Sequence, residues 1–227
     1  MEGHWIAEIG NLKFNMDTLV TMWIAMISLI IFSFVATRKL SIIPTKLQAF
    51  VESIMEFFYG LADTMIGKEG YKHVPLAASL FLFIIVANLM GQLPWKMYHL
   101  KHGGELASPT NDINMTAALA IIVLVYYVFV GVKKKGFHFI FHGFGFDQII
   151  LTLVDILELI TRPLTLALRL FGNILAGEIL ISALIGIFAY LLPLPIMIFE
   201  LLVASVQALV FTMLTLVYIS SAVSEEH

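Results

Sequence analysis

Arg169 is the residue of this sequence whose position most needs a functional explanation. It lies in Leu168-Arg169-Leu170-Phe171-Gly172-Asn173, within one of the most apolar stretches of the chain. Placing a guanidinium near a bilayer midplane costs roughly 2.5–3.5 kcal/mol on insertion scales. Holding a membrane helix bundle together does not require such a cation. The sequence therefore predicts a functional site in which Arg169 meets an anion.

Further polar residues surround Arg169 at helical spacing. Glu178 lies nine residues beyond it, which turns it by about 180° and moves it about 13 Å along the helix axis. On the last apolar segment, Glu200 and Gln207 are seven residues apart and share one face. Ionisable groups on distinct faces and at different depths predict two wet pathways on either side of a fixed charge. At 100° per residue, one stripe roughly 80° wide carries Asp155, Glu158, Arg162, Thr165, Arg169 and Asn173.

Some of these patterns also have structural explanations. Glu178 can simply neutralise an internal arginine, although the half-turn of separation opposes pairing with Arg169. His138 and His142 are spaced i,i+4, but no acidic or thiol side chain lies close to them in sequence. We therefore interpret them as interfacial histidines rather than metal ligands. No metal or cofactor is predicted, and the sequence has no glycine-rich phosphate loop.

The composition indicates an integral membrane protein. Hydrophobic residues make up 60% of the 227 residues and charged residues 13%, and the mean hydropathy is +0.95. A soluble domain could not bury that much apolar surface. The chain has no cysteine, which excludes a disulfide scaffold, and its net charge of −3 argues against nucleic acid as a partner. The N-terminus lacks the basic segment of a signal peptide, so the first apolar segment is expected to be retained.

An all-α fold in a single membrane domain, residues 1–227, is predicted to position these groups. Five apolar segments are interpreted as membrane helices, and each of the first three is long enough to span the roughly 30 Å hydrocarbon core. The last two would measure roughly 65 and 40 Å as straight helices. We therefore expect two long, tilted or bent antiparallel helices, joined at Leu192-Pro193-Leu194-Pro195. The segments are 16–36, 74–93, 113–132, 148–192 and 196–223.

A further segment, about residues 46–66, has the pattern of an amphipathic helix. Phe50, Ile54 and Phe57 share an apolar face. Glu52 and Glu56 lie off that face. Such a pattern is typical of a helix that lies in the membrane interface. Packing of the same face against another part of the protein is an equally compatible interpretation.

The distribution of basic residues predicts the orientation of the chain. With the N-terminus outside, eight lysines and arginines fall in inner loops and three in outer loops. Because inner loops carry the excess of positive charge, this orientation is favoured, and it puts the C-terminus in the cytoplasm. The inner residues are Arg38, Lys39, Lys46, Lys68, Lys72, Lys133, Lys134 and Lys135, and the outer ones are Lys13, Lys96 and Lys101.

Four motifs resemble those of subunit a of the rotary F-type ATP synthases. They cover most of the chain in the right order, and the arginine motif is the most specific of them. The resemblance implies a non-catalytic membrane subunit that works against a ring of c subunits and is held by the b subunits of the peripheral stalk. The translocated ion would be H⁺ or Na⁺. The matching segments are 88–91, 109–116, 168–178 and 207–218.

The resemblance also assigns roles along the path to the outer side. Arg169 matches the family's essential arginine, which faces the ring carboxylate. Asn173, Glu178 and Gln207 match polar positions that line the outer half-channel. Glu200 stands where some members have histidine and others glutamate. This chain therefore has two outer carboxylates, which can share one proton.

On the cytoplasmic side, Asp155 matches an acidic position of the second half-channel, and Glu158 can join it. Asp112 and Asn114 are weaker candidates near the outer entrance. An equally good interpretation of this pair is that it N-caps the third membrane helix.

Two other functional classes remain as alternatives. A self-contained secondary transporter or channel would usually show an internal repeat and paired broken helices, and we find no convincing repeat. An intramembrane enzyme would need a nucleophile with its base, or a ligand cluster, near the midplane. Within the resemblance, Ala176-Gly177-Glu178 is more typical of bacterial or plastid members than of mitochondrial ones, and the lack of an N-terminal extension fits a bacterial plasma membrane. The choice of H⁺ or Na⁺ and the number of ring subunits depend on the ring.

Overall fold

The computed structural model describes residues 6–9, 12–92, 108–139, 146–188 and 193–223. Within these ranges the chain forms six α-helices, one β-hairpin and three short 3-10 turns. The helices are α1 (Met16–Thr37), α2 (Lys46–Ile66), α3 (Val74–Gln92), α4 (Ile113–Lys135), α5 (Phe146–Phe188) and α6 (Pro193–Val223). The 3-10 turns are Lys68–His73, Pro109–Asn111 and Gly136–Phe139.

A β-hairpin precedes α1, so the all-α prediction was wrong for this segment. Strands β1 (Ile6–Ile9) and β2 (Leu12–Asn15) are antiparallel, with Ile6 opposite Asn15. Four-residue strands are too short for their polar–apolar alternation to stand out. The signal that could have found them is Gly10-Asn11, because a glycine followed by asparagine between two short runs is typical of a two-residue hairpin.

The prediction of a largely helical fold with several apolar helices is confirmed. Among the described residues, four helices are long and apolar enough to cross a membrane, and they comprise Met16–Thr37, Lys68–Gly91, Ile113–Lys135 and Pro195–Val223. The fourth predicted segment corresponds to α5, a helix of 43 residues that contains Pro163 and is about 65 Å long. Residues 93 and 189–192, which belong to predicted segments, lie outside the described residues.

Helices α5 and α6 are antiparallel, as their side-chain contacts show. Arg162, in the first half of α5, donates to Ser221 near the end of α6 at 2.9 Å. Gly177, in the second half of α5, lies against Glu200 near the beginning of α6. The α6 helix begins at Pro193, three residues earlier than the predicted 196, because proline is well tolerated in the first turn of a helix.

A core formed by α3, α4, α5 and α6 fixes the rotation of α5. Ile84, Val123, Leu170 and Phe211 are buried together, one from each helix. Between lipid-exposed helices such contacts stabilise by close packing rather than by exclusion of water. Since Leu170 points into this core, its neighbour Arg169 is exposed on the outside of α5.

Helix α2 packs along the bundle. The side chain of Thr45 caps its beginning, accepting from the Gln48 amide at 3.4 Å. Phe58 is buried against α3 and Leu216 of α6, so the packing that the sequence left as an alternative is present. Phe57, on the adjacent side, is half exposed. An exposed apolar edge is what an interfacial position would require.

Candidate functional site

Three buried polar side chains join α3 and α6 through the turn before α4. Asn88 donates from Nδ2 to the carbonyl of Ala204 at 3.1 Å. Its Oδ1 accepts a hydrogen bond from Thr110 Oγ1 at 2.8 Å. The hydroxyls of Thr110 and Ser108 are 2.7 Å apart. All three side chains are at most 2% exposed, so each of these bonds is made in a low-dielectric interior.

The same turn carries a side chain that reaches α5. Asn111 closes the turn, with its amide donating to the Ser108 carbonyl at 3.0 Å. Its side-chain Nδ2 donates to the carboxylate of Glu178. The sequence placed Glu178 away from Arg169, and the structure shows that it faces the turn between α3 and α4.

Glu200 and Gln207 lie on α6 on either side of Ala204, and both side chains are buried. Glu200 fits there because α5 has a glycine opposite. A Cβ built on Gly177 would lie 2.0 Å from Glu200 Oε1. The carboxylate of Glu200 therefore sits next to the residue that precedes Glu178. This contact brings the segments of the two glutamates together across the α5–α6 pair.

Several buried polar atoms around these residues have no hydrogen-bond partner in the described part of the chain. They are Oε2 of Glu200, Nε2 of Gln207, Oδ1 of Asn111 and Oδ1 of Asn15. Buried polar atoms almost always have a partner, and an unpaired one costs about 1–3 kcal/mol. These unpaired atoms mark a polar region of the bundle rather than a packing core.

A cleft of about 320 Å³, which we call the polar cleft, is lined by two of these residues, Asn15 and Asn111. The starts of α1 and α4 and the middle of α5 form its wall. Asn111 lines it and also donates to Glu178, so the cleft reaches the carboxylate's immediate partner. Its lining residues are Asn15, Thr18, Ser108, Asn111, Asp112, Ile113, Phe171 and Leu175.

Arg169 lies on the exposed side of α5, away from the core. No salt bridge or hydrogen bond joins it to another described residue, whereas Arg162 on the same helix has several partners. Asn173, one turn further along, is partly exposed. The structure thus leaves Arg169 on the exposed side of α5, without a hydrogen bond or salt bridge to the described residues.

Arg162 is held by a cluster at the other end of the α5–α6 pair. It forms a salt bridge with Glu158 one turn earlier, in addition to its bond with Ser221. Its guanidinium carbon lies 5.1 Å from the ring centre of Tyr218 and 5.8 Å from that of Tyr127. These distances are within the range of cation–π contacts. The carboxylate of Glu158 is thus occupied by its salt bridge with Arg162. Asp155, three residues earlier on the same helix, is partly exposed.

The outer candidates Asp112 and Asn114 have a local role. The Asp112 carboxylate accepts from the Asn114 backbone amide at 2.9 Å and from its side-chain Nδ2 at 3.0 Å. The N-cap interpretation is therefore confirmed. Asp112 also lines the polar cleft, so capping the helix and facing the cleft are compatible.

Sequence reasoning missed the partners of these groups. Asn88, Thr110 and Asn111 belong to motifs that carry the family resemblance, but no role had been assigned to them individually. Their partners are 22 to 116 residues away in sequence, a distance over which helical spacing says nothing. The salt bridge between Glu158 and Arg162 could have been found, because a glutamate four residues before an arginine favours an intrahelical pair.

Comparison with known proteins agrees with this arrangement. A family model described as ATP synthase A chain matches residues 19–220. The chain is 44% identical over 225 residues to an ATP synthase subunit a of Gloeobacter violaceus, covering 99% of this chain and 90% of that protein. The four apolar helices of the described ranges that are long enough to cross a membrane are consistent with this assignment. The chain therefore belongs to the family of ATP synthase subunit a, the non-catalytic, multi-pass membrane subunit of these complexes.

Proposed function

We propose that the chain is the ion-translocating stator subunit of a rotary F-type ATP synthase, with two offset half-channels and an arginine gate against the c-ring. The observation that carries this proposal is the placement of Arg169. It is exposed on α5, seven residues after Arg162 and nine before Glu178, or about 10 and 13 Å along the axis. The gate residue therefore lies between two polar clusters at different depths.

The outer half-channel is formed by the polar cleft and the groups behind it. Ions enter beside Asp112 and Asn111 and reach Glu178, which accepts from Asn111. Glu200 and Gln207 continue the path along α6, and each keeps a buried polar atom without a partner among the described residues. Asn173, partly exposed on α5, completes this side towards the ring.

The cytoplasmic half-channel includes Asp155 and Glu158, both partly exposed near the start of α5. Glu158 forms a salt bridge with Arg162. Within this path Glu158 therefore serves chiefly to orient Arg162. Asp155 is the better candidate for exchanging the ion.

The gate follows from the energetics of charges in lipid. A ring carboxylate facing lipid must be neutral, because an ionised carboxylate there is costly. Opposite Arg169 the ionised form is stabilised, so the ion is released into one half-channel. Arginine suits this role because it stays charged when desolvated, whereas a lysine can lose its proton. The ring then carries each ion almost a full turn between the two half-channels.

The orientation of the chain in the bilayer is part of the proposal. We place five helices across the membrane, with α5 and α6 tilted against the ring, α2 at the inner interface and the N-terminus outside. Basic residues support this, because Arg38 and Lys39 follow α1, and Lys133-Lys134-Lys135 end α4. Lys134 pairs with Glu69 at 3.0 Å, which brings the turn before α3 to the same end of the bundle.

The partners follow from the family and from the exposed surface. The c-ring is proposed to lie against the Arg169 side of α5, where Leu164 and Leu168 are exposed. The b subunits of the peripheral stalk hold the chain against rotation. The translocated ion is H⁺ or Na⁺, and a bacterial plasma membrane is the proposed location. Each ion contributes about 2.3 kcal/mol per 100 mV, so several ions are required for each nucleotide.

We expect Gly177→Ala to reduce ion translocation several-fold, up to about 10-fold, since displacing a reacting group by about an ångström slows the step that it serves. The new Cβ would lie 2.0 Å from Glu200 Oε1 and 2.5 Å from its carboxyl carbon, so the carboxylate must move. ATP-driven pumping in vesicles, normalised to the amount of assembled complex, measures the effect. Gly60→Ala is the control, because an added Cβ there has nothing within 4 Å. Equal pumping by both variants would show that the position of Glu200 is unimportant.

Ion flux through the purified chain tests the proposed function against a self-contained transporter or channel. Liposomes containing the chain alone receive an imposed membrane potential, and an internal pH dye or Na⁺ dye reports ion entry. We expect no flux above empty liposomes, because without the c-ring nothing carries an ion from one half-channel to the other. Liposomes with the assembled complex should pump when ATP is added. Sustained flux through the chain alone would overturn the proposal in favour of a transporter.

A further inference from the structure

We infer that Thr110 and Asn88 are positioning residues of the outer half-channel, which hold Asn111 against Glu178 and tie that contact to the α6 backbone between Glu200 and Gln207. The inference rests on the proposed function, in which Glu178 exchanges the ion with the outer side. The positioning residues do not touch the ion themselves. They form a buried hydrogen-bond network of hydroxyl and amide groups that fixes the geometry of the ion-contacting groups.

The hydrogen bonds of this network have a consistent direction. Asn88 uses its NH₂ group on the Ala204 carbonyl, so its oxygen is the acceptor for Thr110. The single Thr110 proton is then committed to Asn88, so Thr110 and Asn88 form one chain of donors that ends on α6. The Ser108 hydroxyl donates to the Ala87 carbonyl of α3 at 3.0 Å and lies 2.7 Å from the Thr110 hydroxyl, which fastens the same turn to α3.

The network fixes the turn that carries Asn111. Ser108 and Thr110 belong to the same tight turn as Asn111, whose amide bonds to the Ser108 carbonyl. Gly91 of α3 permits the close approach of this turn, because a Cβ there would lie 2.4 Å from the Ser108 Cβ. With two of its side chains anchored and its backbone pressed on α3, the turn has little freedom. The side-chain amide of Asn111 is therefore held at the carboxylate of Glu178.

Replacing Thr110 by valine tests this inference, because valine keeps the shape and removes the hydroxyl. ATP synthesis by vesicles with the assembled complex is measured against the outer concentration of the coupling ion, varied as pH and, in a second series, as Na⁺. We expect Thr110→Val to change the half-saturating outer concentration by about 5-fold, the size of effect typical for loss of one hydrogen bond. Thr110→Ser should restore the wild-type value.

Thr215→Val is the matched control. Thr215 is also fully buried, and its hydroxyl bonds only to the Phe211 carbonyl one turn earlier in α6, at 2.9 Å. The Thr215→Val variant should leave the half-saturating outer ion concentration unchanged. If Thr110→Val fails to assemble, Ser108→Ala, which removes the hydroxyl that fastens the same turn to α3, provides the same comparison.

The outcomes separate this inference from the proposed function. If Thr110→Val or Ser108→Ala lowers only the amount of complex, with an unchanged half-saturating concentration, the network is merely structural and the inference fails. The proposed function would survive that result as long as wild-type synthesis depends on the outer ion. Wild-type synthesis that ignored the outer concentration of both ions would instead remove the proposed function itself.

Discussion

Arg169→Ala is expected to lower ATP-driven ion pumping at least about 100-fold, a loss comparable with the removal of a single preorganised charge-stabilising group from an active site. Without the guanidinium, nothing favours ionisation of the ring carboxylate at the position between the half-channels. The carboxylate then either keeps its ion past the stator or passes it directly from one half-channel to the other. Pumping is measured by dye quenching in vesicles that contain the whole complex, with assembly checked by the amount of chain retained with the ring.

Two further variants show whether the effect is specific to Arg169 and to its permanently charged guanidinium. Thr165→Ala alters an exposed residue one turn before Arg169, whose hydroxyl bonds to the Thr161 carbonyl of its own helix, and should pump normally. Arg169→Lys restores a positive charge but one that can be lost when desolvated, so it should remain strongly impaired. Normal pumping by assembled Arg169→Ala would remove the centre of the proposal and make a self-contained transporter the leading interpretation.

The sequence predicted the faces of α5 well, because a helix imposes its own period of 100° per residue. Arg169 is exposed and Glu178 turns towards other helices, as the spacing required. The burial of Leu170 and Leu166 follows from the same period. Local periodicity thus sufficed to place the proposed gate and one outer carboxylate on different sides of one helix.

Tertiary partners could not be predicted in this way. The bond between Asn88 and Thr110 depends on how close α3 comes to the turn before α4, and that distance is set by Gly91 and the packing of the bundle. Asn111 reaches Glu178 for the same reason. Helical spacing specifies which residues of one element share a face, but it does not specify which residue of another element meets them. The candidate site was therefore predicted as separate faces, and the buried network that joins them was not.

The two outer carboxylates provide the second large expected effect. Glu178 of α5 accepts a hydrogen bond from Asn111, and Glu200 of α6 lies against Gly177, the residue before Glu178. The two carboxylates therefore belong to one polar region. Carboxylates that share a proton can substitute for each other in part. We expect Glu178→Gln and Glu200→Gln each to lower pumping by about 10-fold or less, and the double variant to lower it by more than about 100-fold, within the range of losses for removal of an acid–base group.

The double variant distinguishes a shared site from two steps in series. If the glutamates act in series, either single variant blocks the path and the double variant is no worse than the more severe single one. If they share one proton, the losses of the single variants are modest and the double variant loses far more than their product. Glu56→Gln on α2, an exposed glutamate away from the polar cleft, controls for the loss of a carboxylate as such. Normal pumping by the double variant would exclude both residues from the ion path, and would make Asp112, an acidic side chain that lines the polar cleft, the next candidate.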